Sequence, residues 1–112
     1  MLTSVIKELD IRRRGDSILI GIAVESAILD FETTETLLRN ALKVLDTARA
    51  GADWTKVGVF GELPVTLYIA SNDSVSIVID GPEFEPNRSI SAMMILTKTD
   101  FAVVAKKALL SS

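Results

Sequence analysis

The chain has 112 residues, of which 12 are basic and 15 acidic, with a formal net charge of -3 and 48% hydrophobic residues. It contains no cysteine and no histidine, which excludes disulfides, thiol nucleophiles, histidine acid–base catalysis and zinc sites built from those side chains. The acidic balance argues against nucleic acid as a partner. We therefore expect one globular domain, residues 1–112, with an aliphatic core.

The N-terminal segment fits two periods. Residues 2–9 carry apolar side chains at helical spacing, whereas residues 9–13 alternate as in a strand. We favour the strand, because Gly15-Asp16 suits a two-residue hairpin turn. Residues 17–24 are apolar on both faces and are expected to form a central strand. The turn predicts these opposed pairs: Ile11 with Ile20, and Leu9 with Ile22.

A helix is predicted over residues 33–50, because apolar side chains recur there at three- and four-residue steps. Thr33 or Thr34 is the expected N-cap, and Gly51 is the expected C-terminal stop. Packing of the apolar stripe on a sheet should hold this helix. The stripe consists of Leu38, Ala41, Leu42, Leu45 and Ala48.

The second half of the chain predicts four strands, over residues 56–60, 64–71, 75–79 and 89–98. The first is short and ends at a glycine, which suits an edge strand. A three-residue loop at 72–74 predicts a hairpin with Ile69 opposite Ile77. In the last strand, Met93 and Ile95 add apolar side chains to the second face, so this strand is expected to be covered on both sides.

A second helix is predicted over residues 100–110, after a Thr97 or Thr99 cap. The fold class that follows is α+β, with a mostly antiparallel sheet of about five or six strands in the order β-β-α-β-β-β-β-α and two helices packed on it. No leader pattern and no apolar run of about 18 residues is present. The sequence thus predicts a cytoplasmic protein that needs no membrane, metal or cofactor.

Two prolines predict that residues 80–87 form the longest loop. Within it an aromatic side chain stands between acids, an arrangement typical of anchors in protein interfaces. The predicted partner-binding residues are Asp80, Glu83, Phe84 and Glu85. Their charge favours a basic partner protein.

Two other hypotheses stay open. One is a ligand-binding domain or histidine-free enzyme with a pocket between the sheet and the helix at 33–50, using Glu25, Trp54 or Tyr68. The other is a homodimer joined edge to edge through residues 56–60. The two make different demands, because a pocket needs a cavity and an edge dimer needs an unpaired strand.

In size, acidity and lack of catalytic residues the chain resembles immunity proteins and antitoxins, which neutralise basic toxins. The resemblance implies a non-catalytic toxin inhibitor of bacterial origin. Type III secretion chaperones are similar in size and acidity, but they begin with a helix and place three strands before the next one. That order differs from the strands at 9–24 and the helix at 33–50 predicted here.

Overall fold

A computed structural model describes residues 2–25, 27–47, 53–71, 73–85 and 88–110. For residues 2–3, 80–85 and 88–91 this description covers the backbone alone. Strands and helices alternate in two groups, each of four strands followed by a helix. In chain order the elements are β1 (Leu2–Val5), β2 (Glu8–Arg14), β3 (Ser17–Ala23), β4 (Ile28–Thr33), α1 (Glu35–Thr47), β5 (Trp54–Phe60), β6 (Leu63–Ile69), β7 (Ser74–Glu85), β8 (Arg88–Thr97) and α2 (Lys98–Leu110).

The α+β class and the two helices agree with the sequence prediction for the described residues. The strand count was too low, because β1 and β4 were not predicted. All eight described strands form one sheet in the order β1-β8-β7-β6-β5-β4-β3-β2. Neighbouring strands are antiparallel except β1 and β8, which are parallel, so the sheet is mixed.

The link between β1 and β2 joins the two ends of the sheet. Ile6 N–H donates to the carbonyl oxygen of Ile95 in β8 at 2.8 Å, and the next residue, Lys7, donates to that of Ala23 beside β3 at 2.8 Å. Because two successive residues bond to strands from opposite ends of the strand order, the sheet must curl until those ends meet.

The β2–β3 hairpin has the predicted register, with Ile11 opposite Ile20 and Leu9 opposite Ile22. Gly15 has a φ of 65°, the left-handed conformation that this turn requires. The β6–β7 hairpin is shifted by two residues, so that Ile69 lies opposite Val75 and not Ile77. A shift of two keeps the same side chains on the inner face, which is why the predicted core still holds.

Both helices begin at a threonine cap. Thr34 Oγ1 accepts a hydrogen bond from the Leu37 N–H at 3.2 Å, and Thr97 Oγ1 accepts one from the Asp100 N–H at 3.1 Å. The first helix starts two residues later than predicted, because Ile28–Thr33 is a strand. The expected stop at Gly51 lies outside the described residues.

One hydrophobic core lies between the helices and the inner face of the sheet. Both helices contribute to it, α1 with Leu38, Ala41 and Leu45 and α2 with Phe101, Ala105 and Ala108. The inner-facing strand residues include Ile20, Phe31, Val57, Leu67, Ile77 and Met94. Burial of these side chains, at about 1.5 to 3 kcal/mol each, holds the helices on the sheet.

The described helices pack on this inner face of the sheet. The Asn40 side-chain amide of α1 donates to the Thr55 hydroxyl of β5 at 2.8 Å. On the other side of the chain, α2 contacts β2, β8 and α1. The opposite face of the sheet, which we call the outer face, is left without a helix among the described elements.

Candidate functional site

The outer face has two chemically different parts. In β2, β3 and β4 the residues that alternate with the core point outward, and most of those on β2 and β4 are charged. An ion pair of 2.7 Å joins Arg12 and Asp10 on this surface. We call it the charged half; its charged residues are Glu8, Asp10, Arg12, Arg14, Asp30 and Glu32.

The other part of the outer face lies on β5, β6, β7, β8 and β1. Strand pairing places one residue from each strand in a single row across the sheet. That row is Trp54, Tyr68, Ser76, Ile95 and Val5. The row beside it contains Lys56, Thr66, Val78 and Met93. We call these nine residues the apolar half, in which Lys56 is the one charged side chain.

Large apolar side chains of this half are open to solvent. Val5 is 68% exposed, Trp54 61% and Tyr68 38%. The two aromatic rings lie together, with centroids 6.3 Å apart and planes inclined by 37°. Exposed side chains of this kind usually occur singly on a monomer, and a contiguous group of them marks an interaction site.

The relief of the apolar half forms a shallow groove along β7. Ser76 and Val78 form its floor and are 6% exposed each, although they are outward-facing and no described helix covers them. Larger neighbours shelter them: Tyr68 stands on one side, and Met93 and Ile95 stand on the other. Two strand spacings separate these walls, which is about 10 Å. We call this feature the β7 groove.

The apolar half is separate from the core. Neither the core cluster nor the partly buried side chains packed against it include Trp54, Tyr68, Val78, Met93 or Ile95. Solvated faces of antiparallel sheets normally carry polar residues. The two-sided apolar pattern of β8 predicted a cover on both faces, and the described elements supply one on the inner face alone.

These comparisons add no relative. No protein-family model, curated protein or solved structure matches this chain. The candidate site therefore rests on the geometry of the sheet.

The predicted partner-binding residues lie in a strand and not in a loop. Asp80, Glu83 and Glu85 belong to β7, where they pair with Ser91, Ser89 and Arg88 of β8, and the register shifts twice along this stretch. The prediction of a loop over 80–87 was wrong, because the bulges let both strands extend to within two residues of each other. Whether Asp80, Glu83, Phe84 and Glu85 bind a partner stays a prediction.

The three residues of the alternative pocket are not brought together between the sheet and α1. Trp54 and Tyr68 are neighbours, but they lie on the outer face, away from α1. Glu25 is exposed in the connection between β3 and β4. The supposed edge strand at 56–60 is internal, since β5 lies between β4 and β6, so an edge-to-edge dimer through it is also ruled out.

Electrostatic contacts lie at the other end of the molecule. The Arg13 guanidinium donates to Glu35 Oε1 at 2.6 Å, and Arg39 does so at 3.2 Å. Arg13 and, to a smaller extent, Arg39 hold the pKa of Glu35 below its ordinary value. This cluster ties β2 to the first turn of α1, and its role is structural.

Metal and membrane chemistry leave no trace in the part of the chain that the structure describes. No group of three or more histidine, cysteine, aspartate or glutamate residues there is placed to hold a metal ion. None of its helices combines the length and the apolar character needed to cross a membrane.

Sequence reasoning assigned Trp54 to a connection and Tyr68 to a pocket, and it missed the surface that they share. The signal that pointed to this surface was present in β8, where Met93 and Ile95 face away from the core. It could not be located without the strand order, because Trp54 and Ile95 become neighbours in one row through three intervening pairings.

Proposed function

We propose that this chain is a non-catalytic protein-binding domain that docks its partner on the apolar half of the outer sheet face. The observation that carries the proposal is the row Trp54, Tyr68, Ser76, Ile95 and Val5, which is uncharged and has large exposed side chains at both ends. Aromatic residues at exposed positions are the usual anchors of protein interfaces.

Charge makes a smaller contribution at this surface. The apolar half has no acidic side chain, so the attraction expected of a basic partner does not arise from it. The acidic stretch at 80–85 follows Val78 on β7, and it adjoins the apolar half along the backbone. A basic partner, a toxin-inhibitor role of the bacterial immunity type and a cytoplasmic location remain proposals that depend on that stretch or on composition.

The experiment is affinity capture by the tagged protein from cells that express it natively, with mass spectrometry of the retained proteins. Wild type is compared with Trp54→Asp and with Ile28→Asp. Ile28 is a matched control, because it is 79% exposed on the same sheet face but lies among the strands of the charged half. We expect a retained protein, either another chain or untagged copies of this one, to be lost with Trp54→Asp and kept with Ile28→Asp.

Salt separates the two possible contact regions. Association through the apolar half should survive an increase from about 0.1 M to about 1 M salt, whereas capture through the acidic stretch should weaken. If no retained protein depends on Trp54 and the pure chain does not self-associate through this surface, the proposed function is wrong.

A further inference from the structure

We infer that the partner seated on the apolar half is a second copy of this chain, in a face-to-face dimer of two sheets. The inference rests on the proposed function and names its partner. It follows from the shape, the charge and the size of the apolar half, which are taken in turn.

Shape comes first, because a two-fold interface must fit itself. The aromatic residues stand on β5 and β6, and the β7 groove lies directly beside them. A two-fold axis parallel to the strands, on the boundary between β6 and β7, places β6 of one copy over β7 of the other. Tyr68 then lies above the groove floor at Ser76 of the second copy, since both belong to one row.

The same axis brings the outer strands together. Trp54 on β5 meets Ile95 on β8 of the second copy, because those residues share the row of Tyr68 and Ser76. In the next row Lys56 lies over Met93, so its methylenes contact the thioether side chain while its ammonium group reaches solvent at the rim. Each large side chain of one copy therefore has an apolar partner or a cavity in the other.

Charge favours this partner as well. Each copy carries a formal net charge of -3, so two copies repel wherever their acidic surfaces approach. The apolar half is the part of the outer face with no acidic side chain, and it is where two such molecules approach at least cost. The charged half cannot serve in this way, because Glu8, Asp10, Asp30 and Glu32 outnumber Arg12 and Arg14 there.

The size of the apolar half matches a modest interface. Its five strands, at about 4.8 Å spacing, and about seven residues along each of the longer strands, at about 3.4 Å rise, give an area on the order of 600 Å². A standard stable interface buries about 800 Å² on each partner. The dimer should accordingly be reversible, with a dissociation constant in the micromolar range.

Sedimentation velocity of the pure protein from about 1 to about 500 μM is the first measurement. We expect a concentration-dependent shift from monomer to dimer, unchanged or slightly stronger in high salt because the net charges repel. Ser76→Arg fills the groove floor with a charge and should weaken dimerisation at least tenfold, whereas Ile28→Arg should leave it unchanged. Circular dichroism confirms that each variant is folded.

Intermolecular disulfides test the geometry itself, since the chain has no cysteine of its own. Equimolar Tyr68→Cys and Ser76→Cys proteins, each carrying one thiol, should form the mixed disulfide on oxidation faster than Ser76→Cys mixed with Ile28→Cys. Equal rates in the two mixtures would contradict the arrangement.

A chain that stays monomeric at 500 μM overturns the dimer. The proposed function survives that result if affinity capture still retains a different protein that depends on Trp54. A dimer that Ser76→Arg leaves intact also overturns the inference, because association then uses another surface.

Discussion

The charged half and the apolar half of the outer sheet face belong to one sheet and cover one core, yet they present opposite chemistry to solvent. On β2 and β4 the outward positions hold carboxylates and arginines, while on β6, β7 and β8 they hold Tyr68, Val78 and Ile95. Because alternation guarantees an outward side chain at every second residue, its chemistry is free of folding constraints from the core. The contrast therefore points to selection for contact on one half and for solvation on the other.

The largest expected effects come from the inner face, where the two halves should behave alike. Ile20 in β3 and Ile77 in β7 are both fully buried. We expect Ile20→Ala and Ile77→Ala to lower the free energy of unfolding by about 2 to 5 kcal/mol each. Urea denaturation measures both. A large cost in one half and a negligible cost in the other would mean that the core is not shared.

The seam between the halves is the next most sensitive place. Glu32 and Val59 are the one described residue pair that joins β4 to β5. Gly58 lies against it, and a methyl group there would collide with the Glu32 carbonyl oxygen and approach a ring carbon of Phe31 to 2.6 Å. Gly58→Ala should therefore cost about 1 to 3 kcal/mol by overpacking.

The control for this seam variant is Gly61→Asn. Gly61 has a φ of 63° and open space around its α-carbon, and asparagine tolerates that conformation. Thermal unfolding of both variants should show a much smaller loss at Gly61. If Gly58→Ala unfolds at the wild-type temperature, β4 and β5 do not pack as closely as described.

Outer-face substitutions should change association and hardly change the stability of the monomer. Trp54→Asp and Ile28→Asp each remove an exposed apolar side chain, and we expect monomer stability to change by about 0.5 kcal/mol or less in both. Only Trp54→Asp should reduce self-association, as measured by light scattering at matched concentration. Equal loss of association in both variants would erase the distinction between the halves.

The smallest effect concerns Glu35, which links β2 of the charged half to α1. Since Arg13 and Arg39 lower its pKa in the folded state, the stabilisation is present above the ordinary glutamate value of 4.5 and is lost as pH falls through the lowered value. The difference in melting temperature between wild type and Glu35→Gln should thus be present at pH 7 and shrink below pH 4.5. In an Arg13→Gln background, Glu35→Gln should change the melting temperature less.

Much of the sheet could be read from the sequence where the turn chemistry was local. The Gly15-Asp16 turn fixed the register of β2 and β3 to the residue. β4 was missed because Thr34 alone separates it from α1, and its acids resembled those of a helix start. β1 was missed because the chain changes sheet neighbours at Ile6 and Lys7, which interrupts the alternation.

The candidate site was less predictable than the fold, because it depends on contacts between distant segments. Local patterns showed that Ile95 faces away from the core and that Tyr68 alternates with core residues. They did not show that both share a row with Trp54, which requires the strand order. Proline and acid content drew attention instead to residues 80–85, whose backbone turned out to continue β7.

The crossing from β1 to β2 sets a condition on the birth of this protein. Leu2 pairs with Ala92, so the first strand to leave the ribosome finds its hydrogen-bonding neighbour only after most of the chain has been made. Until then, its edge is open to other chains, and closing so long a loop makes such topologies slow to fold. The N-terminal residues are thus the last part of the sheet to be secured, and premature termination before β8 would leave the curled sheet unable to close.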